Sequence, residues 1–179
     1  MSFTNQRFYP PNEAADWKAD RRNLVKAFQD WIGSLEQQDA LIPHVQGNWT
    51  AVGTFVTPGD AVVTFGQNVC RFTKIGHLVH LEFQLQTSTF THTTAIGNFT
   101  ITGLPYKAKT ETNYIAEGTL AFQGITKANY TQFSPQIASG GTSLVIAASG
   151  SAQPIDAVTA ANMPTGGTVV LRGSIFYRI

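Results

Sequence analysis

At Pro43 the spacing of apolar residues changes from helical to alternating, and no single secondary structure satisfies both halves. Residues 1–43 hold 11 of the 23 Asp, Glu, Lys and Arg residues but one glycine of 16, Gly33. Residues 44–179 hold the other 12 charges and the other 15 glycines. The first part reads as a charged helix with a leader, the second as an all-β domain.

Phe8-Tyr9-Pro10-Pro11 reads as extended, since proline forces its predecessor out of the helical region. Asn12 is placed to cap a helix that begins at Glu13. Glu13, Asp16 and Asp20 put negative charge where the helix dipole favours it. Trp17, Leu24, Phe28, Trp31 and Leu35 then follow at spacings of 7, 4, 3 and 4. These are d, d, a, d and a positions of a heptad, with Arg21 at the intervening a; Val25 and Ile32 widen the stripe and Ile42 extends it. Such a stripe is packed either on its own domain or against other copies. Two tryptophans in the stripe and its place outside the β region favour sharing. The expectation is a short coiled-coil stalk in a homotrimer. So short a coil is marginal alone, so the domain after it must help hold it together.

From Gly47 onward the period is two. Val79, Leu81, Phe83 and Leu85 alternate with His80, Glu82, Gln84 and Gln86, which makes one face core and the other wet. Phe99 and Ile101 repeat the pattern, as do Tyr114 to Gln123. Leu144-Val145-Ile146 and Val169 to Ile179 add further strands. Turn signals fall at Pro58-Gly59-Asp60, Gly66-Gln67-Asn68, Gly103-Leu104-Pro105, Gly140-Gly141 and Gly166-Gly167. About seven to nine strands with regular turns predict an antiparallel β-sandwich, jelly-roll-like, with almost no helix beyond a turn. Ala152 to Pro164 is the one Ala-rich stretch without clear alternation. The expected division is a leader and helical stalk over 1–43 and a β-sandwich head over 44–179.

The net charge of +1 gives no electrostatic reason for a nucleic-acid or anionic-membrane partner. Only 13% of residues are charged, against about a quarter in ordinary globular chains. Thr, Ser, Asn and Gln must therefore keep the surface wet. Cys70 is the only cysteine, which excludes an intrachain disulfide and a cysteine-based metal site. Met1 to Arg7 lacks a basic stretch followed by an apolar one, and no apolar run approaches the roughly 20 residues that cross a bilayer. The chain is expected to be made and folded in a cytoplasm without membrane insertion. The Asn-x-Thr sequons at Asn48, Asn98 and Asn129 are then chance matches.

Four pieces occur in a telling order: Gly47-Asn48-Trp49-Thr50, then Arg71 to Val79 with Lys74-Ile75-Gly76, then Gly97 to Ile101 leading into Thr102-Gly103-Leu104-Pro105, and finally Leu171 to Tyr177 with Gly173-Ser174. Over residues 47–179 this order resembles the C-terminal domains of phage tail fibre and tailspike proteins. Ala51 departs from the family's usual proline and Phe72 from its usual tyrosine. The resemblance implies a homotrimeric receptor-binding or tip domain of a virion tail, with other phage tail proteins as neighbours. Its implied partner is a host cell-surface polysaccharide or lipopolysaccharide. The residues themselves read first as structure: Trp49 as a plug of the sandwich, Gly76 as a turn, Leu104 as a core side chain.

Catalytic chemistry finds little support in the residues. Glycan hydrolysis needs paired carboxylates, and the β region offers Asp60, Glu82, Glu111, Glu117 and Asp156 with nothing to pair them. His77 and His80 are three apart on a strand and point to opposite faces, so they cannot share a metal. Neither a Gly-x-Ser-x-Gly elbow nor a phosphate-binding loop occurs. The expectation is a protein without enzymatic activity, metal or cofactor. Sugars are held by aromatic faces among neutral hydrogen-bonding groups. Thr87 to Thr94 supplies Phe90 and His92, Asn129 to Ser134 supplies Tyr130 and Phe133, and Tyr106 follows the Leu-Pro turn. With so few charges, salt is expected to change binding little. A purely structural virion role, as tail-tip plug or head fibre, and a glycan depolymerase are the competing readings.

Overall fold

The computed structural model describes residues 16–40, 44–150 and 152–179. The chain divides into two compact units, Met1–Ile42 and Pro43–Ile179. The first unit holds α1 (Asp16–Ala40), 25 residues interrupted by no proline. Its apolar stripe is unburied in the single chain: Leu24, Phe28 and Trp31 are 72%, 58% and 55% exposed. The Phe28 and Trp31 rings stand 5.7 Å apart on the same face. The cap at Asn12-Glu13, the side chains of Trp17 and Leu35, and Ile42 lie outside the described residues.

The second unit contains ten strands: β1 (His44–Asn48), β2 (Val52–Thr57), β3 (Val62–Ile75), β4 (Leu78–Thr91), β5 (Ile96–Thr102), β6 (Ile115–Gln123), β7 (Gln132–Ala138), β8 (Leu144–Gly150), β9 (Gln153–Ala157) and β10 (Val170–Arg178). Its helical content among the described residues is one 3-10 turn, Ala160–Asn162. The stretch without alternation thus resolves into β9 and that turn.

All pairings are antiparallel, in the order β1-β3-β4-β10-β6-β7-β8-β5-β2, with β9 also on β8. The expected two-layer sandwich is instead one sheet curled into a half-barrel. The corner is β6, whose Ile115–Glu117 pair with β7 and whose Gly118–Gln123 pair with β10. At Gly118 a side-chain carbon would lie 2.1 Å from the Ser174 carbonyl oxygen, so only glycine lets the strands cross this closely. The two halves close on a core in which Val79, Leu81, Phe83, Phe99, Ile137, Leu144, Ile146 and Leu171 are buried. Trp49 is buried too, and its indole nitrogen donates to the Arg71 carbonyl at 3.2 Å. Leu104 packs against the core as expected.

Gly66-Gln67-Asn68, expected as a turn, lies inside β3. The β3–β4 register shifts between Thr64 and Phe65 and back between Phe65 and Gln67. That leaves Ser88 unmatched on β4 and Gly66 unmatched on β3, a pair of compensating bulges. The turn signal was absorbed by a bulge because both long strands continue past it. Asn68 then closes the gap to the next segment: its side-chain nitrogen donates to the Ala51 carbonyl at 2.8 Å.

The head has two ends. One carries His44, where the chain arrives, with the β3–β4 hairpin turn beside it and the Ile179 amide donating to the His77 carbonyl. The far end carries the β2–β3 turn, the β4–β5 loop and the β6–β7 loop.

Candidate functional site

The Ser88 bulge decides where two of the expected binding residues point. Had the period of two run on from Leu85, Thr87, Thr89 and Thr91 would face inward and Phe90 and His92 outward. Slipping one residue after Thr87 reverses the rest: Phe90 and His92 join Thr87 in being buried, and Thr89 and Thr91 are exposed. Phe90 pairs across the sheet with Val63 and sits 6.1 Å from Phe55 and 5.7 Å from Phe99. It is a core residue of a strand, not a loop platform. His92 lies against the same phenylalanines. Neither offers a ring face to a sugar.

The loop after Phe90 is fastened by a residue that sequence reasoning passed over. Asp60 in the β2–β3 turn accepts from the amides of Thr93 at 2.8 Å and Thr94 at 2.7 Å. It also accepts from the Thr93 hydroxyl and from the Thr94 hydroxyl at 2.9 Å. The Thr93 hydroxyl and the two amides hold the carboxyl well below the usual carboxylate range. The Pro58-Gly59-Asp60 turn was legible; its partner 33 residues away was not.

Tyr106 is half-buried at the entry end. Its ring meets Phe72 edge-on at 5.6 Å and Lys74 at 5.8 Å. Its carbonyl accepts from the Tyr177 hydroxyl at 2.9 Å, a phenol pushed up to about 12 chiefly by burial. Tyr106 therefore serves first to close the base of the half-barrel.

Tyr130 stands beside a cation at the far end, and Phe133 packs separately on Phe122. Phe133 is buried, and its ring meets Phe122, which is 38% exposed, at 4.4 Å with the planes tilted by 59°. Phe133 supports a surface aromatic rather than being one. The β6–β7 loop before it is built rigidly. Lys127 donates to Asp156 Oδ2 at 2.8 Å, to the Ala157 carbonyl at 3.1 Å and to Asn162 Oδ1 at 3.3 Å. Its side chain is only 11% exposed, and it stands 5.1 Å from the Tyr130 ring. Hydrogen bonds from Lys127, then its charge, hold the Asp156 carboxyl below its ordinary value. Asn129 adopts φ +67, a left-handed conformation that Asn tolerates better than most residues. At Gly150 a side-chain carbon would lie 2.4 Å from the Asn129 carbonyl, so glycine there lets the loop seat on β8. The Thr131 amide then donates to the Ser149 carbonyl at 3.1 Å.

Beside this loop, Gln67, Gln86 and Gln123 share one cross-strand row with Val170. The half-buried Tyr130 thus stands between the neutral side chains of Asn129 and Thr131; Gln123 and its row face outward, whereas Phe122 shares the inner face with the buried Leu171. The one cation in the loop is consumed by its own acceptors. This is the strongest candidate site on the head.

Comparison with known proteins places the fold. No protein-family model matches this chain, and no curated protein matches it. Among solved structures it is similar to the crystal structure of the Dettilon tailspike protein, at 14% identity and a TM-score of 0.54. The match covers 74% of this chain and 24% of that one, so the chain spans about a quarter of the tailspike's length. At this identity the likeness shows the fold alone.

The remaining polar residues do not converge. Glu111 pairs with Lys109 at 3.3 Å, Glu117 accepts from Gln136, and Glu82 lies exposed on β4. No group of three or more His, Cys, Asp or Glu able to hold a metal occurs among the described residues. His77 is in the hairpin turn, whereas His80 stacks on Phe176 at 4.1 Å and 15° on the outer face of β4 and β10. Phe176 is 55% exposed, and Ile75 and Leu78 near it are 48% and 43% exposed. Period-two patterning assigned His80 to the wet face, but only the register β4–β10 reveals the aromatic beside it.

Proposed function

We propose that this chain is a stalk and receptor-binding head of a phage tail fibre or tailspike, a homotrimer that grips a host cell-surface glycan without cleaving it. The observation that carries the reading is a half-barrel of tailspike type on a chain whose α1 leaves Leu24, Phe28 and Trp31 exposed. A helix with that stripe gains by packing it against copies of itself. The virion tail is the location that fits, with assembly in the host cytoplasm and other tail proteins as neighbours. The far end of the head holds the sugar: Tyr130 supplies the apolar face, and Asn129 and Thr131 fix orientation. Separate partners for Glu111 and Glu117, with Glu82 apart on β4, support binding over hydrolysis. Single-site affinity is expected on the order of millimolar, raised about 100-fold or more by three sites on one trimer.

Sedimentation of the full chain and adsorption to host cells test both parts. Three copies are expected, with Phe28→Ala and Trp31→Ala shifting the equilibrium toward monomer. Tyr130→Ala should lose adsorption well below its melting point while melting only slightly early, whereas Phe90→Ala should melt much earlier. A monomer at micromolar concentration refutes the stalk; full adsorption by Tyr130→Ala refutes the site. A purely structural virion role is the second reading. It is favoured by the exposed Ile75, Leu78 and Phe176, since clustered surface apolar groups mark protein contacts. It predicts no adsorption by the wild type.

A further inference from the structure

The outer face of β1, β3, β4 and β10 is apolar at its entry end and polar beyond it. Register places His44, Ile75, Leu78 and Arg178 in one cross-strand row at that end. The next row holds Gln46, Thr73, His80 and Phe176. Directly paired residues share a face, so Ile75, Leu78, His80 and Phe176 form one patch. Ile75, Leu78 and Phe176 are 48%, 43% and 55% exposed. The Phe176 and His80 rings lie 4.1 Å apart at 15°. Stacking takes up one face of each ring, which suits insertion among apolar side chains better than it suits a sugar. Paired strands are about 5 Å apart and residues rise about 3.4 Å each, so the whole patch lies within roughly 16 Å of His44. Further along, the same face turns to Arg71, Glu82 and Gln84 and ends on the glutamine row.

We propose that this patch is a head-to-head contact between copies of this chain, three of which meet through it about the axis of the trimer. The inference rests on the trimeric reading above and supplies the head surface that completes it. α1 has 25 residues, under four heptads, and a coil so short is marginal by itself. The head must therefore add contacts of its own. α1 ends at Ala40 and β1 begins at His44, four residues on, which is at most about 14 Å of chain. Packed helices stand about 8–10 Å apart, so three copies of α1 in a coil deliver three copies of His44 to one place. A tether this short holds the heads at an effective concentration on the order of millimolar. A patch of a few side chains then suffices, whereas free heads would need the roughly 800 Å² per partner of an ordinary interface. The exposed His44 and Arg178 close its row as a polar rim. The apolar end of the face lies beside the tether and the polar end away from it. That gradient serves a tethered copy and gives an untethered partner no advantage.

The test uses the full chain, by sedimentation over a concentration series. Each of three copies loses an apolar ring in Phe176→Thr, so the midpoint concentration for dissociation should rise about tenfold or more. Ile155→Thr removes a 66% exposed apolar group from β9 and should leave the midpoint where it was. Phe176→Cys, studied above its own midpoint, reads the contact directly. Cys70 is 3% exposed, so the introduced thiol should be the one that reacts. A short bismaleimide should join chains in pairs, and dilution to monomer should abolish the cross-link and speed labelling by a simple maleimide. A trimer in which the Phe176→Cys thiol labels as fast as in dissociated chains overturns the proposal, leaves the trimeric reading standing and gives the patch to a different protein. An unchanged midpoint in Phe176→Thr overturns it in the same way. A wild type that sediments as a monomer at micromolar concentration overturns both readings together.

Discussion

Replacing Lys127 by methionine tests whether the β6–β7 loop is held from beneath. Methionine keeps most of the apolar stem against Tyr130 and removes the ammonium. Two half-buried acceptors then lose their donor: the Ala157 carbonyl at 3.1 Å and Asn162 Oδ1 at 3.3 Å. Bonds from a charged donor contribute roughly 1.5–3 kcal/mol each, and these lengths put both at the low end. The contact with the Tyr130 ring at 5.1 Å adds about 0.5 kcal/mol. The ion pair adds little, because the Asp156 side chain is 56% exposed. Removing the partly desolvated charge returns something, so the net loss is about 2 kcal/mol. For a unit of this size each kcal/mol shifts melting by about 3–5 °C, so Lys127→Met should melt about 6–10 °C low. Melts must be compared at one protein concentration, since assembly couples to stability. Adsorption of the variant, measured well below its melting point, should also fall as Tyr130 loses its support. Melting within a degree or two of wild type would refute the reasoning. So would an Asp156→Asn variant that loses as much, because the exposed pair rather than the buried acceptors would then hold the loop.

Asp60 makes the β domain acid-sensitive. Its carboxyl is held low when folded, so its contribution is fully present above the unfolded carboxylate range near about pH 4 and is lost as pH falls further. Thermal melts below about pH 4 should steepen in the wild type and flatten in Asp60→Asn; parallel curves would dismiss the clamp. Cys70 is 3% exposed, and burial pushes its thiol up to about 11. At pH 8 roughly one thiol in a thousand is ionised, so an alkylating reagent should label it only as fast as the head unfolds. Rapid labelling of the folded protein would contradict its place in the core.

What the sequence determines by itself is whatever depends on near neighbours. The switch at Pro43, the helix through Trp17 to Leu35, and the inward set Val79, Leu81, Phe83 and Leu85 follow from periods that a few residues impose. So do the turns at Pro58-Gly59 and Gly140-Gly141. Long-range pairing decided the rest. The Gly66 bulge shows locally only as a turn signal and the Ser88 bulge not at all, yet the slip at Ser88 turns Phe90 and His92 from solvent to core, because one residue of slip exchanges the faces of a strand. Gly118 reads as an ordinary strand glycine until β10 lies across it and makes it the corner that curls two layers into one half-barrel. Asp60 with Thr93, Lys127 with Asn162, and His80 with Phe176 are 33, 35 and 96 residues apart. Alternation fixes which face of its own strand a residue occupies, but not which strand lies alongside. Only the tertiary register makes Tyr130 a supported surface aromatic and leaves His92 with a buried nitrogen and no partner.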